Sequence, residues 1–275
     1  MSVTLCAIMK DERPYLAEWV AHHRLLGFDR IVIYSNDCSD GTELDLDRLA
    51  DLGLLEHRPW PSGTRTSPQI SAYADAVGRC TTTWIGFLDA DEFFNPRIDE
   101  SIGAFLQRFD ADVSAVAVNW RIFGSSGQRS QTAQPVTARF TRASVSTHHR
   151  NRHCKTFARA ADIEEPLIHR CFLTRGRYVD SHGQDVQIER LGFTPSVQHD
   201  VAQINHYVVK SSDEFADKQR RGNANRRTDS PDKYTGRTGS FFSDHDLNDQ
   251  IDLSILRFSP RLHAEMELLS DPNAI

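Results

Sequence analysis

Apolar residues in the first half of the chain fall in short blocks that alternate between strand-like and helix-like spacing. Val3 to Met9 is a short apolar run and reads as a buried strand. Lys10-Asp11-Glu12-Arg13-Pro14 then turns into a helix, with Pro14 near its first position and Leu16, Trp19, Val20 and His23 at helical spacing up to Gly27. Ile31 to Tyr34 predicts a second strand, and Asp40-Gly41-Thr42 opens a helix carrying Leu44, Leu49 and Leu52. Leu54 to His57 predicts a third, weaker strand, Gln69 to Arg79 a helix and Trp84 to Leu88 a fourth strand. Asp89-Ala90-Asp91 stands at the exit of that strand. A helix over Ile98 to Phe109 and a strand over Val113 to Val118 complete the series. Strand, helix, strand, helix in this order predicts βαβ units and an α/β fold with a mostly parallel sheet flanked by helices.

Beyond residue 120 the pattern is more irregular. Gly124 to Gly127 is a Gly/Ser loop, Ile204 to Val209 predicts a strand, and Ser211 with Glu214 has capping-box spacing for a helix running to about Arg221, with Gly222 as its cap. No linker divides the chain. We read one domain in two unequal halves, 1–125 and a smaller irregular β/α region over 126–260, with a tail over 261–275.

Composition narrows the classes. With 275 residues the chain can bury a large core, and 39% hydrophobic with 25% charged residues is ordinary for a globular protein. A net charge of −6 gives no general nucleic-acid footprint. No apolar run is long enough to span a bilayer, and Met1 to Lys10 lacks the pattern of a signal peptide. Five widely spaced cysteines without a CxxC suggest reduced thiols and a cytoplasmic protein.

The candidate chemistry lies past the strand ends, where α/β sheets bind ligands. Lys10 to Glu12, Ser35 to Asp40 and Asp89 to Asp91 all occupy such positions, so three polar clusters converge on one edge. Asp89 and Asp91, separated by one residue, can reach one hard cation such as Mn2+ or Mg2+, which takes oxygen ligands and leaves places for water and substrate phosphates. A pair of acids this short is also a common turn or capping element. Asp11 and Glu12 equally suit a helix N-terminus, and Asp40 an N-cap. From Arg139 to Arg159 there are six Lys or Arg and no acid, which reads as a solvated basic face or a surface for phosphates and acidic saccharides. His148, His149 and His153 belong to that face rather than to a metal site. Lys218 and Arg221 lie one helical turn apart, and Arg226, Arg227, Lys233 and Arg237 follow in a polar stretch suited to closing over a diphosphate.

Several separate stretches together resemble one family. Glu12 to His23, Gly27-Phe28-Asp29, Ile33-Tyr34-Ser35-Asn36 and Ser39-Asp40-Gly41-Thr42 resemble the start of a GT-A glycosyltransferase, and Phe87-Leu88-Asp89-Ala90-Asp91-Glu92-Phe93-Phe94 resembles its metal motif. Asn119 to Gly127, Ile204-Asn205-His206-Tyr207 and the run Lys210 to Gly222 are similar to the signature of glycosyltransferase family 92, formerly domain of unknown function 23 and close to family 2. The resemblance covers roughly residues 3 to 260. It implies a GT-A (Rossmann-like) fold, a nucleotide-sugar donor, often a UDP-sugar, and a divalent metal, typically manganese.

Carried over by position, Asp89 would lie on the ribose side and Asp91 on the metal, with His206 as a further metal ligand. Glu12 and Asn36 would line the nucleoside pocket, with Gln69 near it. Trp120 and the loop containing Gly124 and Ser125 would face the acceptor, and Lys218 and Arg221 would neutralise the leaving diphosphate. Ser35 stands where many relatives have Asp. For an inverting transfer the base candidates are Asp180, Asp185 and His169. The acceptor is expected to be a saccharide or lipid-linked glycan of the cell surface, with peripheral contact to the inner membrane face. Two other classes are rivals to this reading. A nucleotidyltransferase would place a Gly-rich basic loop after the first strand, where this chain has Lys10 to Pro14. A non-catalytic saccharide-binding protein would not require Asp89, Asp91 and His206 together.

Overall fold

The structure, a computed structural model, describes residues 1–63, 66–227 and 239–270. In chain order the strands are β1 (Val3–Met9), β2 (Arg30–Ser35), β3 (Glu56–Pro59), β4 (Trp84–Phe87), β5 (Glu92–Pro96), β6 (Val113–Ile122), β7 (Arg142–Ala143), β8 (Cys154–Arg159), β9 (Ile163–Pro166), β10 (Cys171–Leu173), β11 (Arg177–Asp180), β12 (Ala202–His206) and β13 (Gln250–Ile251). The helices are α1 (Arg13–Leu25), α2 (Thr42–Asp51), α3 (Pro68–Gly78), α4 (Ile102–Leu106), α5 (Val136–Arg139), α6 (Ser212–Arg221), α7 (Gly239–His245) and α8 (Ser259–Ser270).

One nine-stranded sheet runs in the order β3-β2-β1-β4-β8-β6-β12-β5, with β11 also paired to β6. The pairs β1–β2, β1–β4, β2–β3, β6–β11 and β6–β12 are parallel, whereas β4–β8, β6–β8 and β5–β12 are antiparallel. The α/β class and mostly parallel sheet are therefore as expected, and strands from both halves of the chain share one sheet. The short unbroken apolar runs have a direct cause: the sheet is covered on both faces. Along β1, Val3, Leu5, Ala7 and Met9 join the layer containing Leu16, Trp19, Leu46, Phe105 and Leu262, while Cys6 and Ile8 join Ala72, Tyr73 and Ala76.

Several boundaries differ from the sequence expectation. The third strand begins at Glu56, and β6 continues to Ile122. The helix expected over 98–109 is confined to Ile102–Leu106, capped by Ser101 accepting from the Ala104 amide at 3.1 Å. The strand β5 was not expected. Its Phe93 and Phe94 read as the tail of an acidic motif, but they pair antiparallel with Asn205 and Ile204 of β12, so its existence depends on a partner more than 100 residues away. The Ser211–Glu214 capping box is present in both directions. Lys233, Arg237 and the end of the expected C-terminal tail lie outside the described residues.

Candidate active site

A cavity of about 280 Å³ opens where β1, β4 and β12 end, lined by Lys10, Glu12, Gln69, Asp89, Asp91, Trp120, His169, His206, Lys218 and Arg221 among others. The first and third expected clusters thus meet at one edge, and β12 and α6 bring in the C-terminal residues, whereas none of Ser35 to Asp40 lines this cavity.

The two acids of the Asp-Ala-Asp turn have separate surroundings. Asp89 Oδ1 accepts from Gln69 Nε2 at 2.6 Å, and Oδ2 accepts from Lys155 Nζ at 3.0 Å. Lys155, fully buried on β8, also lies 3.2 Å from Glu92. Glu92 Oε2 accepts the Asp89 amide at 2.8 Å and so locks the turn. Burial would lower the lysine's pKa, but Asp89 and Glu92 outweigh it and keep Lys155 a cation. Burial pushes the Glu92 carboxyl up to about 8, against Lys155 and with the neighbouring Asp89 and Asp91 charges adding to the rise.

Asp91 is paired differently. Its Oδ2 accepts from Lys218 Nζ of α6, which also donates to the Val208 carbonyl at 2.8 Å, and lies 3.6 Å from His206 Nε2. Burial alone would raise the Asp91 carboxyl, yet Lys218 and then His206 hold it well below the usual range. One turn on, Arg221 pairs with Glu12 Oε1 and the Asp11 carbonyl, leaving Glu12 Oε2 buried without a partner. Helix α6 therefore lays two cations across the exits of β1 and β4.

Trp120 is ringed by imidazoles, with centroids of His206 at 4.2 Å, His153 at 4.5 Å and His169 at 5.2 Å. Burial, Lys155 and His153 lower the His169 pKa to about 3, so its ring is neutral, with Nδ1 3.2 Å from the Cys154 carbonyl.

The other expected site residues lie elsewhere. Asn36 does not line the cavity; it is buried, donating to the Trp60 carbonyl at 2.9 Å and to Ser62 at 3.0 Å. Gly124 and Ser125 pack on the segment 246–248: a Cβ on Gly124 would meet the Leu247 carbonyl at 2.6 Å, and the Ser125 amide donates to Asp246 at 2.6 Å. Asp180 caps the turn amides of His182 and Gln184, and Asp185 pairs with Arg177 in solvent. Neither lines the cavity. The basic segment 139–159 is only partly a surface. Arg139 is buried in a two-bond pair with Glu214, and Lys155 is buried under the acid turn, because each has an internal carboxylate to neutralise it. Lys155 was hidden by that segment's overall charge; its signal was a single lysine inside an otherwise strand-like stretch, Cys154 to Ala158.

Among the described residues, no group of three or more His, Cys, Asp or Glu is arranged to hold a metal. Asp91 and His206 do converge, and an ion that takes further ligands from a diphosphate and water needs only one or two protein groups. Those two residues fit such an ion, with Lys218 on the same Asp91 oxygen. Asp89 is committed to Gln69 and Lys155.

The profile of glycosyltransferase family 92 matches residues 2–236. The chain belongs to glycosyltransferase family 92. A family 92 protein of Oryza sativa subsp. japonica is 24% identical over 226 residues, covering 79% of this chain and 35% of that protein. One of Ricinus communis is 26% identical over 141 residues, covering 50% of this chain and 25% of that protein. This family 92 chain thus spans a quarter to about a third of the length of these relatives. Among solved structures, S. aureus TarS 1–349 in complex with UDP-GlcNAc is similar at 14% identity and a TM-score of 0.39, covering 58% of this chain and 46% of that one.

Proposed function

We propose that this chain transfers a glycosyl group from a nucleotide-sugar, a UDP-sugar by preference, to a saccharide or lipid-linked acceptor in cell-surface polysaccharide synthesis. The observation that carries the reading is the pairing of Asp91 with Lys218, and of Glu12 with Arg221, across one cavity at the strand ends. Cations already held by carboxylates are poised to turn to a diphosphate, which offers the same kind of charge-assisted hydrogen bond. A family 92 membership is in keeping with this use.

In this reading the acceptor hydroxyl attacks the anomeric carbon, with inversion, while Lys218, Arg221 and Lys10 hold charge that builds on the departing diphosphate. Gln69 and Lys155 fix Asp89 for the ribose, and Trp120 gives the sugar or acceptor an apolar face. Of the three base candidates, His169 lines the cavity, but burial beside Lys155 makes its neutral ring a weak base, so the position and not the basicity favours it. A divalent ion, Mn2+ or Mg2+, held by Asp91 and His206 would supply Lewis-acid stabilisation of the diphosphate. We assign the chain to the cytoplasm, in peripheral contact with the inner membrane surface; its unpaired cysteines suit a reducing compartment.

A thermal-shift panel of nucleoside diphosphates and nucleotide-sugars, with and without Mn2+, tests the reading. We expect a shift with UDP or a UDP-sugar that grows when Mn2+ is added, because a ligand of the native state alone raises the melting temperature. No shift with any nucleotide in folded protein would refute it.

A further inference from the structure

On the opposite face of the sheet from the donor cavity lies a second one, of about 450 Å³, whose wall includes Arg97, Arg121, Ser146, His199, Gln203 and Ser254. The two cavities are separated by strand alternation: Trp120 of β6 faces the first and its neighbour Arg121 the second.

Arg121 is the anomaly. It is 6% exposed, yet none of the described carboxylates lies within salt-bridge distance of it. Among the described residues its side chain makes one hydrogen bond, from Nη2 to Gln250 Oε1 at 2.8 Å, and its Nε is buried without a partner. A buried charge normally has a counter-charge and a full set of hydrogen bonds. Two acids, Asp200 and Asp252, also line the cavity, and each is already engaged. Asp252 takes Arg97 at 3.3 Å, the Gln203 amide at 3.0 Å and the Ser254 hydroxyl at 2.6 Å. Asp200 stands at the solvent rim, 2.7 Å from His182. His199 uses Nε2 on the Trp120 carbonyl at 2.7 Å and leaves Nδ1 buried without a partner. Burial lowers the pKa of both Arg121 and His199, and the nearby Asp252 charge offsets this only in part because it makes no direct contact with either group.

We propose that this cavity binds a saccharide bearing a carboxylate or phosphate, with the oxyanion on the Arg121 guanidinium. The cavity is larger than a bare anion needs and falls in the size range of small-molecule sites. The exposed Ser146 hydroxyl offers a hydrogen bond to a ring hydroxyl, and the exposed aliphatic side chains of Ile251 and Leu253 at its lip can cover an apolar sugar face. An anionic glycan held here would be anchored away from the reacting end, on a site independent of the nucleotide.

The test is isothermal titration calorimetry on the full chain with galacturonate, inorganic phosphate and neutral galactose as probes. It compares the wild type with Arg121→Met and the donor-side variant Arg221→Met. The wild type should bind at least one anionic probe more tightly than galactose. Arg121→Met should weaken that binding tenfold or more, and Arg221→Met should leave it unchanged. Preference for galacturonate over phosphate would identify a uronic acid, and the reverse a sugar phosphate. If Arg121→Met does not fold, Ser146→Trp, which fills the mouth while keeping the guanidinium, should abolish binding in its place. Wild-type affinity in Arg121→Met, or in Ser146→Trp where the first variant is unfolded, overturns the proposal. So does loss confined to Arg221→Met, or equal binding of all three probes. A negative nucleotide panel would sink the donor reading and leave this result standing.

Discussion

Lys218→Met keeps the side-chain length but removes the cation from Asp91. Both partners are at most 10% exposed, so the carboxylate left behind would be buried, with His206 at 3.6 Å as its nearest remaining donor. Breaking a buried pair from one side costs roughly 3–5 kcal/mol. At about 2–4 °C per kcal/mol for a protein near this size, the melting temperature should fall by roughly 6–20 °C in metal-free buffer. The pH dependence carries the same information. Lys218 holds the Asp91 pKa below its unfolded value near about 4, so the wild type has this stabilisation above that pH and loses it on acidification. The variant, in which His206 remains but Lys218 does not, should show a weaker acid limb. Manganese should then raise the melting temperature of the variant more than that of the wild type, since in the wild type the ion must displace an ammonium from the same oxygen. Differential scanning fluorimetry with an EDTA control reads all three effects. A variant melting within about 1 °C of the wild type, well inside the shift expected for a broken buried pair, would refute the argument. Equal manganese shifts in both proteins would refute the competition at Asp91.

Two further outcomes follow from other parts of the structure. Glu214→Gln should flatten the acid limb of stability. Against the effect of burial, Arg139 and Ser211 hold the Glu214 pKa at about 2, so the wild type gains stability above its unfolded pKa and loses it as pH falls toward about 2. Urea melts from neutral pH downward check this, and parallel curves would contradict it. Gly86→Ala should destabilise by roughly 1–3 kcal/mol, because its Cβ would stand 2.3 Å from Phe157 Cδ1 in the sheet interior. Equal denaturation midpoints would show that the ring has room to move.

The α/β class, most of the first-half elements and the Asp89–Asp91 turn were legible in the residues because each depends on local pattern. A strand buried on both faces must be apolar along its length, as Val3 to Met9 and Trp84 to Phe87 are. Acids immediately after such a strand stand out, and the capping box of Ser211 with Glu214 is set by four adjacent positions. The sequence also told that Lys218 and Arg221 share a helix face.

Tertiary structure alone decided what those groups meet. Strand β5 exists because β12 returns to pair with it, and the burial of Lys155 follows from β8 entering the sheet between β4 and β6. Neither partner is near in sequence, so no local spacing announces the contact. The same holds for Asn36, Gly124 and Ser125, whose neighbourhoods are set by distant loops, and for Arg121, whose buried, unpartnered Nε is visible only once the chain is folded around it. Charge patterns in the sequence count residues; only the fold determines which charges are removed from water, and hence which require a partner.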